Sequence, residues 1–356
     1  MDKLTADQGV FVYFKAIIFN LLAQLVLGIV ISVVPIEPEL MSTLQIAFMA
    51  VLQIAFYLAV RSSVARHGRL TGYGIAPVKW WIIPLALVCA PACVLAFVFP
   101  ANMFQVFLES FGYTSHTSID LGSNLNICLA TFVTVILAPV CEEYVFRGAL
   151  LGGLVKKHGV FVSCLMSAAA FSLMHMNPEQ TVYQFCLGFV AAYFTICSRS
   201  LLPSIVLHGG NNLIAILLEV FPIGDGGGVT YASGSVIAAT AIFLGGVAAF
   251  YFAGRLIARV SGGFKGMTDA FRVENLADEK AAEDALSGET DIVYVCRKCG
   301  VETTEKAKKC PNCGGKTYRK TILPPIMGKR TVGIVYGITI GICAFMWIVT
   351  FVSCMI

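Results

Sequence analysis

The chain has 356 residues, 57% of them hydrophobic and 13% charged, with a mean hydropathy of +0.80 and a formal net charge of +4. Soluble domains carry about 25% charged residues, so the composition excludes a soluble enzyme and a protein held by one anchor, and points to a polytopic membrane protein. The small net charge gives no reason to expect nucleic acid as a partner. Nine of the 13 cysteines lie in or beside apolar runs, where a free thiol behaves as a small hydrophobe, so they do not form a disulfide framework.

About 20 apolar residues cross a hydrocarbon core of about 30 Å. The first such run, 10–34, is too long for the h-region of a cleavable signal peptide and has no clear small-residue cleavage site. An acidic turn at Glu37 and Glu39 precedes a second span over 40–60. A loop with Arg61, Arg66, Arg69 and Lys79 precedes a third over 80–99. Met103 to Phe111 reads as an amphipathic segment lying on the surface. A fourth span starts near Leu125 and runs to Lys156-Lys157, a fifth covers 160–175, a sixth 181–197 and a seventh 202–218. After a Gly-rich loop at 224–228 comes an eighth span over 236–256. Residues 268–291 are rich in Ala, Glu and Asp, with a helix expected over 270–286. The ninth span covers 332–352.

Lys and Arg favour the cytoplasmic side of short loops. The basic stretches at 61–79, 156–157, 199, 255–265 and 329–330 alternate along the chain with the acidic turns at Glu37, Glu109 and Glu219. The pattern expects an integral, multi-pass protein with a cytosolic N-terminus. The fold class is an all-α polytopic membrane helical bundle of about nine spans, with a small cytosolic β domain before the last. The expected divisions are 1–79 for two N-terminal spans and a basic loop, 80–260 for the membrane core, 261–291 for an acidic linker, 292–320 for the β domain, and 321–356 for a linker and the last span.

The stretch Cys141-Glu142-Glu143-Tyr144-Val145-Phe146-Arg147-Gly148 puts three ionisable groups into an apolar span. A charge at membrane depth costs roughly 2.5–3.5 kcal/mol on translocon scales and more on others, so such groups pair, face a wet cavity or do chemistry. Glu143 and Arg147 are four apart and share a helix face. Glu142 is about 100° round the helix and has no obvious helical partner. Two adjacent carboxylates resist joint ionisation, which suits one of them to general-base work. His175 closes the fifth span, and His208 and Asn212 share a face of the seventh. Counting rise from the nearest loops, Glu142 lies ~21 Å deep, His175 ~24 Å, Asn212 ~20 Å and His208 ~14 Å. That is one polar layer, good to about a turn. Taken singly, a helix-end His or a Glu–Arg pair reads as structural, the pair also as a transport element, and an Asn near Gly as packing polarity. His67, His116 and His158 lack this context and read as loop residues.

Glu142-Glu143-x-x-x-Arg147, then Phe171-x-x-x-His175, then His208-x-x-x-Asn212, on successive membrane helices, resembles the CAAX prenyl protease and bacteriocin-processing (CPBP, or Abi) family of intramembrane endopeptidases. The resemblance covers roughly 80–260. It implies that Glu142 activates a water held with His175. Glu143 and Arg147 would position that carboxylate and the helix packing, with Phe171 in support. His208 and Asn212 would donate to the oxyanion, as preorganised donors do. It also implies a membrane-tethered or lipidated peptide as substrate, such as a prenylated C-terminal peptide or a leader peptide. A zinc-dependent reaction on the same Glu and His residues stays open, since two His and a Glu make an open catalytic zinc site. From other classes, an ion- or proton-coupled transporter or a catalytically silent scaffold also stays open.

Cys296-x-x-Cys299-Gly300 and Cys310-x-x-Cys313-Gly314 are two knuckles ten residues apart. Four thiolates at this spacing close a tetrahedral zinc site. The Gly after each pair permits a tight turn whose N–H groups reach the sulfurs. This resembles a zinc ribbon holding structural zinc; iron, or a redox dithiol, is the alternative. Residues 292–295 and 316–318 have strand-like content. The basic residues around the ribbon read as a solubilising surface or as a face for anionic lipid or a cytosolic partner.

Overall fold

The computed structural model describes residues 6–33, 37–67, 73–114, 121–155, 158–221, 236–262, 292–296, 299, 301–303, 309–321 and 329–355. Among them are nine helices: α1 (Ala6–Val33), α2 (Pro38–His67), α3 (Ile82–Glu109), α4 (Asn124–Leu154), α5 (Val160–Met174), α6 (Thr181–Ser198), α7 (Leu202–Val220), α8 (Val236–Ser261) and α9 (Lys329–Ser353). Eight of the nine are long and apolar enough to cross a membrane, and α5 is the shorter apolar one. The bundle is that of an integral membrane protein, with large side chains such as Leu25, Ile29, Val88, Phe252 and Phe345 turned outward where lipid takes the place of water.

Two bounds differ from the sequence reading: α2 runs past 60 to His67, so Arg61, Arg66 and His67, read as loop residues, lie on the helix. The segment expected on the surface, Met103 to Phe111, mostly continues α3, which runs to Glu109. Pro91 and Pro100 lie inside that helix; in a membrane span neighbouring helices make up for the backbone groups that Pro leaves unsatisfied. The Gly-rich loop at 224–228, the turn Lys156-Lys157 and the linker helix at 270–286 lie outside the described residues.

α4 is the axis of the bundle, touching α1, α2, α5, α6 and α7. Its winding is not uniform. It opens to π-helical turns over Phe132–Leu137 and again over Tyr144–Leu151, with α-helical Ala138–Glu143 between them. Pro139 accounts for the first. With no N–H it cannot satisfy the carbonyl four residues back, Val135, in α register, nor the one five back, Thr134, in π register. Both carbonyls lie against α7. Asn212 Nδ2 donates to the Thr134 oxygen at 2.7 Å. At Gly209 the α7 backbone comes so close that an added Cβ would sit 2.7 Å from the Val135 oxygen.

Two apolar clusters flank α4. On one side α1, α2, α5 and α9 pack around Tyr13, Phe146 and Phe171, with Phe146 meeting Tyr13 at 5.6 Å and Phe171 at 5.3 Å between ring centroids. On the other α3, α6, α7 and α8 pack around Phe97, Phe194, Leu207 and Phe250. The charged stretch lies on the helix between them.

The β domain is a three-stranded antiparallel sheet of β1 (Ile292–Cys296), β2 (Glu302–Thr303) and β3 (Thr317–Thr321), in the order β2-β1-β3. Tyr294 faces Thr303 on one side and Arg319 on the other, and Cys296 faces Thr317.

Candidate active site

Glu143 is 0% exposed, as is Arg147. One turn of helix joins them: Arg147 Nη1 donates to Glu143 Oε1 at 2.7 Å. Arg147 Nη2 donates to the Gly188 carbonyl of α6 at 3.0 Å, and the guanidinium lies 4.4 Å from the centroid of the Phe171 ring, a cation–π contact strengthened by the dry surroundings. Gly188 makes this possible, because a Cβ there would lie 3.2 Å from Arg147 Nη2 and 3.1 Å from Phe171. His208 Nδ1 lies 3.0 Å from the same Glu143 oxygen. A carboxylate paired with Arg can only accept, so that ring nitrogen carries the proton.

Glu142 faces the other way. Its Oε1 accepts from Gln53 Nε2 of α2 at 2.8 Å, and its Oε2 lies 3.9 Å from His208 Nε2. His208 therefore stands between the two carboxylates, one ring nitrogen to each. His175 sits where α5 stops, because Met176 turns to φ 52° ahead of Pro178. Its Nδ1 lies 2.9 Å from the Phe171 carbonyl oxygen. A carbonyl only accepts, so Nδ1 is protonated and a neutral His175 keeps Nε2 as an acceptor. The Phe171 ring stands edge-on to both imidazoles, 5.0 Å from His175 and 5.4 Å from His208.

These groups line a cavity of about 540 Å³ bounded by α1, α2, α4, α5, α6 and α7. Glu142, His175, His208 and Asn212 open onto it. So do the amides of Asn20, Gln24, Gln53, Gln180 and Gln184, which the sequence reading did not pick out. A single amide in an apolar run gives no local signal, so only the packing reveals them. Asn212, read from sequence as an oxyanion donor, has one amide hydrogen committed to Thr134; the other is not used by that bond.

A second constellation lies in the β domain. Cys296, Cys299, Cys310 and Cys313 are, among the described residues, the one group of metal-ligating side chains whose ligand atoms all lie within 4.8 Å of one another. Sulfur–sulfur distances are 3.4 Å for Cys296–Cys313, 3.5 Å for Cys299–Cys310 and 3.3 Å for Cys299–Cys313. A tetrahedron with metal–sulfur bonds of about 2.3 Å has edges of about 3.8 Å, so the four thiols could hold one metal ion. Gly314, after the second pair, turns at φ 68° and its N–H donates to the Cys310 carbonyl at 2.9 Å. Gly300 lies outside the described residues.

Residues 124–214 match the family model described as type II CAAX prenyl endopeptidase Rce1-like. The chain is 24% identical over 95 residues to the "Putative membrane peptidase YdiL" of Bacillus subtilis (strain 168). The match takes in 27% of this chain and 39% of that protein, so the chain spans well under half the length of this curated relative. No solved structure matches. The family match contains Glu142, Glu143, Arg147, Phe171, His175, His208 and Asn212; α1, α2 and the Cys domain fall outside it.

Proposed function

Given that residues 124–214 carry a membrane core of the CPBP family, we propose that this chain is an intramembrane endopeptidase whose Glu142 activates a water against a peptide bond. The observation that carries the proposal is the convergence of Glu142, His175 and His208, from three helices, on one polar cavity. In the proposed reaction Glu142 takes a proton from water, and the hydroxide attacks the peptide carbonyl. The unprotonated Nε2 of His175 accepts the other water hydrogen and fixes the nucleophile. Negative charge gathers on the carbonyl oxygen, where the remaining N–H of Asn212 and the Nε2–H of a protonated His208 serve as donors. Glu142 then passes its proton to the leaving nitrogen as the C–N bond breaks. Glu143 and Arg147 stay ionised throughout and hold His208 by its Nδ1–H. The neutral amides around the cavity are of the chemical kind that pairs with the backbone of an extended peptide. The family resemblance of residues 124–214 supports a membrane-tethered or lipidated peptide as the substrate class.

The test is cleavage of such a peptide by purified protein. Glu142→Ala and His175→Ala lower the rate about 10²- to 10⁴-fold while the helical content is kept. Wild-type cleavage by Glu142→Ala contradicts the proposal, and substrate uptake into proteoliposomes that survives this change identifies a carrier instead.

For the second constellation we infer structural zinc, with Cys296, Cys299, Cys310 and Cys313 as ligands and a domain that folds with its metal. The domain and the N-terminus face the cytosol, as the basic loops indicate. Metal analysis of wild type beside the quadruple Cys→Ser variant tests this. Zinc that disappears with the four cysteines assigns it to the ribbon, whereas zinc retained in the variant assigns it to the Glu and His residues of the membrane core and makes the peptidase a metalloenzyme.

A further inference from the structure

The residue that completes the reacting centre comes from outside the family-matched segment. Gln53 lies on α2, 7% exposed, and its Nε2 donates to Glu142 Oε1 at 2.8 Å across 89 positions of sequence. Its own Oε1 is buried and has no hydrogen-bond partner among the described residues. Burying an amide oxygen without a partner is unfavourable, so a group that does so beside a carboxylate calls for an explanation.

We propose that Gln53 is the positioning residue of the general base; the proposal rests on the hydrolase reading above. The reason is geometric. Glu142 has one oxygen toward His208 and the cavity, and one toward α2. Tying Oε1 to Gln53 fixes the carboxylate plane and aims Oε2 at the water. No other hydrogen bond to either Glu142 oxygen occurs among the described residues, the nearest imidazole nitrogen being 3.9 Å from Oε2. The neutrality of the amide supplies the second half of the role. When Glu142 takes the water's proton on Oε2, its Oε1 becomes the carbonyl oxygen of a carboxylic acid and still accepts from Gln53 Nε2. The proton then passes from Oε2 to the leaving nitrogen with the amide unmoved. The residue thus keeps its bond in either protonation state of Glu142, which an ionic partner such as Arg147 could not offer without fixing the carboxylate in its charged form. By this reading α2 is a wall of the reacting centre as well as of the cavity.

The experiment compares wild type, Glu142→Ala, Gln53→Leu and Gln53→His on one membrane-tethered peptide, with thermal melts of each. Leu keeps the bulk and removes the amide, whereas His carries an Nε2–H at a reach close to that of Gln. Gln53→Leu is expected to lower kcat about 10- to 100-fold, the range for a misplaced catalytic group, with KM within about twofold. Gln53→His should restore part of kcat. A dead Glu142→Ala beside a full-speed Gln53→Leu overturns the positioning role alone. A rise in KM with kcat unchanged overturns it as well, by making Gln53 a substrate-binding wall. A loss that tracks a lowered melting temperature and is not rescued by His shows a packing role only. Full-speed Glu142→Ala overturns the hydrolase reading and the positioning role together.

Discussion

Glu142 and Glu143 are adjacent in the chain, yet they belong to two unlike regions of the protein. Glu143 lies in a closed region, 0% exposed, against a guanidinium that is itself tied to Gly188 and stacked over Phe171. Glu142 lies in an open region, held by a neutral amide and facing a cavity of about 540 Å³. The contrast is one of charge compensation. A buried carboxylate matched to a permanent cation is held ionised and serves as framework. A carboxylate hydrogen-bonded to a neutral amide can gain and lose a proton and keep that bond. In the proposed reaction one helical step, about 100°, divides framework from chemistry.

Breaking the closed region has the largest expected effect on the fold. Arg147→Met leaves the Glu143 charge with His208 alone, and removing one member of a buried pair destabilises by about 3–5 kcal/mol. Thermal melts in detergent check this, and an unchanged melting temperature would show that the pair does not hold α4 to α6. Gly209→Val is next. Its side chain meets the Val135 carbonyl, where a Cβ alone would be at 2.7 Å, and overpacking of this sort costs about 1–3 kcal/mol. Asn212→Ala leaves the Thr134 carbonyl without the donor that replaces Pro139, a loss at the lower end of about 1–3 kcal/mol. It also removes the proposed oxyanion donor, so the rate should fall by more than the melting temperature suggests.

The smallest effect on the membrane core is expected from the Cys domain. Chelation or the quadruple Cys→Ser change should unfold the ribbon, seen by protease sensitivity, and leave the melting of the bundle where it was. Zinc should also be released as pH falls, because thiolate ligands must give up their metal to take protons. Release that is independent of pH would contradict thiolate ligation.

The two regions also differ in how far the sequence disclosed them. Glu143 and Arg147 were legible because their spacing of four is a local geometric statement, and the two Cys-x-x-Cys knuckles were legible for the same reason. The spans follow from hydropathy, including the short α5. Gln53 was not legible, since an amide within an apolar run says nothing until α2 is laid against α4. Nor was the π-helical winding over Phe132–Leu137, which goes with Pro139 and with the approach of Gly209 and Asn212 from another helix. β2 escaped because Glu302-Thr303 is too short to carry a strand pattern. What is local in the chain can be read from it, and what depends on helices meeting cannot.

The central claim is that Glu142 performs the chemistry and Glu143 the scaffolding, and it is tested most directly by measuring peptide cleavage and thermal stability together for Glu142→Gln and Glu143→Gln. The account predicts that Glu142→Gln melts as wild type does and cleaves about 10²- to 10⁴-fold more slowly, while Glu143→Gln melts at a lower temperature. Cleavage by Glu142→Gln at the wild-type rate would contradict it.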